Sequence, residues 1–227
     1  MKTIADSLSC VREQITQFER QYGREPGSVK LIAVSKTRPG KDILEAFNLG
    51  QRDFGENYLQ EALEKISELG HREAVWHFIG PVQSNKTRAI AEHFHWVHSI
   101  DRGRIARRLS DARPEHLPPL NACLQINISQ EDTKTGVLPG ELPGLIEECT
   151  SLPHLKLRGL MALPAPGLDF QQQRESFRRV RELFSEHAAI LPGFDTLSMG
   201  TTQDMEAAIA EGATFVRVGT AIFGKRG

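Results

Sequence analysis

Eight strand-like segments, each but the last followed by a helical or helix-compatible stretch, predict an α/β fold. The specific expectation is a single (β/α)8 TIM barrel with an extra N-terminal helix. Three observations carry it. Strand and helix periodicities alternate from end to end, and 227 residues suit eight such units after a leading helix. An open doubly wound sheet would be expected to show a Gly-rich turn after its first strand. Here that position reads Ser35-Lys36-Thr37-Arg38-Pro39-Gly40, without GxGxxG. No linker, low-complexity run or fixed-period repeat divides the chain, so residues 1–227 are expected to form one domain.

Each element has its own signal. Ile4, Leu8, Val11, Ile15, Phe18 and Tyr22 recur at steps of three and four, one apolar face over five turns, and Gly23 and Pro26 stop it. Strands are expected at 29–36, 53–56, 76–80, 96–101, 121–129, 156–163, 196–200 and 215–219. The intervening helical patterns include 42–49 (Ile43, Leu44, Phe47) and 58–69 (Leu59, Ala62, Leu63, Ile66, Leu69). Further ones lie at 102–110, 141–151, 170–190 (Phe177, Val180, Phe184) and 204–211.

Composition excludes several function classes. With 28 basic and 29 acidic residues, two tryptophans and two tyrosines, the chain carries neither the basic footprint nor the aromatic interleaving of a nucleic-acid binder. No apolar run reaches the length of a membrane span, and the first residues lack the apolar core of a signal peptide. Cys10, Cys123 and Cys149 are odd in number and show no metal-ligand spacing. They fit small buried residues in a reducing compartment, so a cytoplasmic protein is expected.

In a barrel of this kind the functional groups sit at the carboxyl ends of strands and in the loops that follow. Lys36 ends the run Leu31-Ile32-Ala33-Val34-Ser35. A desolvated lysine there is a nucleophile suited to carbonyl groups; a lysine snorkelling into solvent is the plainer alternative. Ser198-Met199-Gly200-Thr201-Thr202-Gln203-Asp204 leaves strand seven through small and hydroxyl residues, and Gly219-Thr220 ends strand eight. These adjacent loops form the usual phosphate site of such barrels, although ordinary βα turns with threonine caps would read alike. Arg217 shares the strand face of Gly219. In the barrel interior it would contact a ligand or pair with a carboxylate such as Asp101.

His93, His95 and His98, with His77 on a neighbouring strand, are weighed as metal ligands and set aside. His93 and His95 precede strand four, away from the functional face, and no carboxylate completes a shell. Arg104, Arg107 and Arg108 read as a solvated helix face, as do Arg174, Arg178, Arg179 and Arg181 interleaved with Glu175 and Glu182.

Several ordered blocks then carry a resemblance that runs nearly end to end. They are Leu31-Ile32-Ala33-Val34-Ser35-Lys36-Thr37, Phe54-Gly55-Glu56-Asn57-Tyr58 and His77-Phe78-Ile79-Gly80-Pro81-Val82-Gln83-Ser84-Asn85-Lys86. Gln125-Ile126-Asn127-Ile128-Ser129, Gly159-Leu160-Met161-Ala162, Leu197-Ser198-Met199-Gly200 and 216–224, opening Val216-Arg217-Val218-Gly219-Thr220, continue the series. The sequence resembles the pyridoxal-phosphate homeostasis proteins, the YggS/PROSC type. The resemblance implies a barrel like the N-terminal domain of alanine racemase, with pyridoxal 5′-phosphate held on Lys36 as an internal aldimine. It implies that the phosphate sits in the 199–202 loop, with Met199, Gly200 and Thr202, and at Gly219-Thr220. Arg217 would face the pyridine nitrogen, and Asn57 would line the pocket.

Three departures from the family pattern stand out. Met199-Gly200-Thr201-Thr202-Gln203-Asp204 replaces Met-Gly-Met-Ser-x-Asp, with Thr202 keeping the hydroxyl. Thr133-Lys134-Thr135-Gly136 replaces Ser-Lys-Ser-Gly, and the sequence ends at Gly224-Lys225-Arg226-Gly227 instead of the common aromatic-ended tail.

Three functions compete. A racemase-like enzyme needs a base on each face of the substrate carbon; Lys36 supplies one, and the other face needs a partner, for which the chain offers only Tyr22, at the end of the leading helix's apolar face, and Tyr58. Arg217 at the ring nitrogen would also discourage its protonation and weaken the electron sink. A Schiff-base aldolase would be expected to carry its lysine late in the barrel, where Leu160-Met161-Ala162-Leu163-Pro164 has none. The resemblance favours a homeostatic protein that buffers pyridoxal phosphate and delivers it to apoenzymes, with little or no turnover. The expected partners are the cofactor and pyridoxal-phosphate-dependent apoenzymes, with no nucleic acid or membrane, on a monomeric barrel. No metal is expected. Lys134 and Lys225 are left open as further cofactor sites.

Overall fold

The computed structural model describes residues 2–70, 72–129 and 135–224. The Thr133-Lys134 part of the hydroxyl-and-lysine block and the tail at 225–227 lie outside them. The chain runs through α1 (Ile4–Gln21), β1 (Lys30–Val34), α2 (Gly40–Asn48), β2 (Asp53–Glu56), α3 (Leu59–Leu69), β3 (Val75–Phe78), α4 (Thr87–His93) and β4 (Trp96–Ile100). It continues through α5 (Gly103–Asp111), β5 (Leu120–Ile126), α6 (Leu142–Thr150), β6 (Leu155–Ala162), α7 (Phe170–Ala188), β7 (Thr196–Ser198), α8 (Met205–Ala210), β8 (Phe215–Val218) and α9 (Thr220–Phe223). The strands pair in parallel in sequence order, and β1 closes on β8, giving the expected (β/α)8 barrel.

Two apolar layers follow from strand alternation. Outward-facing residues such as Leu31, Ala33, Phe54, Phe78 and Val97 pack beneath the helices in one large core. Inside the barrel lies a smaller cluster of Ile32, Trp96, Cys123, Met161 and Phe215. Full burial of each large side chain contributes about 1.5–3 kcal/mol relative to exposure.

The leading helix is part of the wall. A capping box between Thr3 and Asp6 starts α1, and its apolar face buries Leu8, Val11 and Ile15. The buried Glu19 carboxylate accepts from the Val29 amide at 2.8 Å and the Gly27 amide at 3.0 Å. That fixes where the chain enters β1. At the end of α1, the Tyr22 hydroxyl donates to Glu206 at 2.8 Å.

Two sequence expectations are corrected. β8 is not the last element, because α9 follows it directly. The arginines of α7 are more than a solvated face: Arg174, Arg178 and Arg181 all pair with Glu211, whose carboxylate is buried beneath them. A buried carboxylate recruits nearby guanidinium groups to offset its lost hydration.

Candidate ligand site

Lys36 leaves the barrel at its carboxyl-terminal mouth. The ladder ends where the Ser35 amide bonds Gly55 oxygen at 3.0 Å; Lys36 and Thr37 then form a turn with Thr37 at φ +64°. A non-glycine residue in the left-handed region costs free energy unless its surroundings hold it. Here they do. The Thr37 amide donates to Glu61 at 2.5 Å, Lys65 donates to the Ser35 carbonyl at 2.7 Å, and the Ser35 hydroxyl donates to Glu56 at 2.6 Å. Lys65 also bonds Glu56 at 2.8 Å and pairs with Glu61. The peptides on both sides of Lys36 are thus gripped from behind. Burial pushes the Glu56 carboxyl above its usual range, against the lowering effects of Lys65 and the Ser35 hydroxyl.

In front of Lys36 lies a cavity of about 380 Å3. Its polar lining comprises Lys36, Asn57, Thr201, Thr202, Gln203, Arg217 and, at the end of β8, Gly219-Thr220. Val34, Ile79 and Leu163 supply an apolar wall. Six of the eight residues singled out from sequence therefore meet in one space: Lys36, Asn57, Thr202, Arg217, Gly219 and Thr220. Met199 and Gly200 stand behind it. The Met199 side chain is buried in the outer core, and Gly200 makes the turn at φ +95°. A Cβ on Gly200 would also meet the Ala208 Cβ at 2.6 Å. Gly219 has a different reason to be small: a Cβ there would lie 2.9 Å from the Val34 carbonyl oxygen.

Arg217 is buried in the barrel interior. One terminal nitrogen donates to the Ser198 carbonyl at 2.5 Å and the Ser198 hydroxyl at 2.7 Å; the other donates to Ala162 oxygen at 3.0 Å. Asp101, weighed as its partner, instead pairs with Arg102. Burial lowers the Arg217 pKa to about 10, opposed by Asp204 and Cys123. Among the described residues, the buried Oδ1 of Asn57 has no hydrogen-bond partner. A ligand donor would satisfy it.

The cavity fits a small phosphorylated aldehyde. It has a lysine amine at one side, an apolar slot, a guanidinium and an unsatisfied acceptor, and hydroxyls with a bare glycine backbone for an anion. Val34, Ile79 and Gln203 were not singled out from sequence, although strand alternation places Val34 two residues before Lys36 on the same face. The histidines have no metal-like grouping: among the described residues no cluster of three or more His, Cys, Asp or Glu could hold an ion. Instead His77 bonds His98 at 2.9 Å within the barrel.

Residues 7–227 match the model of the alanine racemase N-terminal domain. Pyridoxal phosphate homeostasis proteins of Pseudomonas aeruginosa and Escherichia coli are 55% and 52% identical to the chain, covering all of it and 97% and 98% of their own lengths. The chain belongs to the pyridoxal phosphate homeostasis protein family. Among solved structures, PipY of Synechococcus elongatus with pyridoxal phosphate bound matches at TM-score 0.86 and 37% identity, over 98% of this chain and 100% of that one. The alanine racemase of Corynebacterium glutamicum shares the fold at TM-score 0.68 and 18% identity; the chain spans 61% of it. No helix of the described residues is long and apolar enough to cross a membrane.

Proposed function

We propose that this barrel is a single domain that binds pyridoxal 5′-phosphate through Lys36, buffers it and delivers it to apoenzymes in the cytoplasm, with little or no turnover. The observation that carries the reading is the convergence of Lys36, Arg217, the Asn57 acceptor and the Thr202 and Gly219-Thr220 wall on one cavity of about 380 Å3. The family and the pyridoxal-phosphate-bound relative support it. When bound, the cofactor supplies an aldehyde whose Schiff-base linkage to a lysine exchanges with other amines. This chain's residues hold and orient it: Lys36 captures, the threonine hydroxyls and Gly219 backbone receive the phosphate, and Arg217 faces the ring nitrogen.

The racemase-like reading is weaker because, among the described residues, no tyrosine lines the cavity. Tyr22 bonds Glu206 outside the barrel, and Tyr58 is exposed. The deciding experiment adds pyridoxal phosphate to the purified protein, records the visible spectrum, reduces with borohydride and maps the adduct by mass. A yellow protein reduced on Lys36, and a folded Lys36→Ala variant without colour or adduct, are expected. An adduct elsewhere, or none, overturns the reading. Rapid racemisation of an amino acid by the yellow protein would favour the enzyme.

A further inference from the structure

One polar chain crosses the barrel interior and ends in the cavity. Asp53, at the amino-terminal mouth, has Oδ1 2.9 Å from His77 Nε2. His77 Nδ1 lies 2.9 Å from His98 Nε2, and His98 Nδ1 lies 2.8 Å from the Ser198 hydroxyl. That hydroxyl accepts from Arg217 at 2.7 Å. Four hydrogen bonds thus join a carboxylate at one end of the barrel to the guanidinium that lines the cavity at the other.

Donor chemistry gives the chain a direction. An ionised carboxylate only accepts, so His77 donates to Asp53 from Nε2 and, as a neutral ring, accepts at Nδ1. His98 then donates from Nε2 and accepts at Nδ1 from the Ser198 hydroxyl, whose lone pairs also receive the Arg217 guanidinium. Both imidazoles are satisfied as neutral Nε2–H tautomers, and both are fully buried. Burial lowers the pKa of each, which agrees with that state.

The surroundings are buried and aromatic. His77 stacks on Trp96 at 5.7 Å between centroids and meets the Phe215 edge at 5.4 Å; His98 meets Phe215 at 5.9 Å. Charged and titratable groups acting on the chain's members are Lys30 of β1, Asp53 of β2, Cys123 of β5 and Asp204 before α8; His95 before β4 feels His77, and Arg158 of β6 lies 4.9 Å over the Trp96 ring. Barrel interiors are ordinarily filled by branched apolar residues, and a buried polar chain costs desolvation that apolar packing would not. Its terminus on Arg217 gives that cost a use.

We propose that Asp53, His77, His98 and Ser198 are positioning residues for Arg217. They form a directional relay that fixes the guanidinium and couples it, through polarised hydrogen bonds, to the Asp53 carboxylate across the barrel. Low polarity strengthens such coupling, and no proton has to move. The effect on bound cofactor rests on the proposed function; the direction of the relay does not.

Nitrogen-15 NMR of the imidazoles, on protein freed of cofactor, tests the direction. Neutral Nε2–H forms of both His77 and His98 at neutral pH are expected. An Nδ1–H form of either ring overturns the relay. Titration of the visible band of the pyridoxal-phosphate-loaded protein tests the coupling. Asp53→Asn leaves Arg217 less compensated and the cavity more positive. The protonated chromophore is then disfavoured, and its midpoint falls by about 0.3–1 pH unit, roughly a two- to tenfold change in proton affinity. Asp53→Glu restores the charge and the midpoint. An unchanged midpoint in Asp53→Asn, whatever its melting temperature, overturns the coupling. If the wild-type protein gives no band, the cofactor reading fails and the tautomers alone decide the relay.

Discussion

The Lys65 ammonium donates at 2.7 Å to the carbonyl of Ser35, the residue immediately before Lys36. Two lysines thus meet one short turn in opposite ways. Lys65 is buried among Ser35, Glu56 and Glu61, a fixed cation in the wall, whereas the half-buried Lys36 lines the cavity. The first holds the backbone from which the second projects.

Replacing Lys65 by methionine removes the cation from beside the buried Glu56. Breaking one side of such a pair costs about 3–5 kcal/mol, because the remaining charge is left uncompensated. Lys65→Met should therefore lower stability in urea unfolding by that order, and adding Glu56→Gln should recover a large part of it. Equal stability of Lys65→Met and wild type would show that the pair is not coupled to the fold.

Thr202 is a sharper test of the proposed phosphate contact than of stability, since its side chain is at the surface of the cavity. A hydrogen bond to a charged group contributes about 1.5–3 kcal/mol, so Thr202→Ala should weaken retention of pyridoxal phosphate roughly tenfold or more. Affinity for pyridoxal, which lacks the phosphate, should change little. Parallel losses for both ligands would remove Thr202 from the phosphate contact.

Gly80, just after β3, packs directly against the backbone of Asn57. A Cβ there would lie 2.3 Å from the Asn57 carbonyl oxygen and 2.8 Å from the Asn57 Cα. Both are backbone atoms, so the neighbour cannot simply swing aside. Gly80→Ala should displace Asn57, cost about 1–3 kcal/mol of stability and weaken cofactor retention together. Lowered melting with unchanged retention would separate Asn57 from the ligand.

Much of this was legible in the residues because the barrel rule is local. Strand alternation and strand-end position put Lys36, Arg217 and Gly219 on one mouth before any contact is known. What stayed hidden was non-local. Met199 and Thr202 belong to one motif, yet the turn at Gly200 sends Met199 into the outer core and leaves Thr202 at the cavity. Glu211 lies about thirty residues beyond the α7 arginines that cover it, so charge interleaving alone read those arginines as solvated. His77 and His98 sit on adjacent strands, and their link to Ser198 depends on a strand far along the chain that the closed barrel brings opposite.

The same histidines set a pH dependence of folding. Both are buried and neutral, with folded-state pKa values below the ordinary imidazole value of about 6.5, His98 well below. Below that value the unfolded chain takes up a proton on each ring while the folded protein does not. Lower pH therefore favours unfolding. The stability they permit is fully present above the ordinary value and is lost as pH falls from there towards their folded-state values. Each ring contributes a slope of at most about 1.4 kcal/mol per pH unit in that window. Urea unfolding at a series of pH values should show this fall, and a folded His98→Gln variant should lose a large part of the slope. A profile flat through the window in the wild-type protein would mean that the rings are charged in the fold, contrary to their burial.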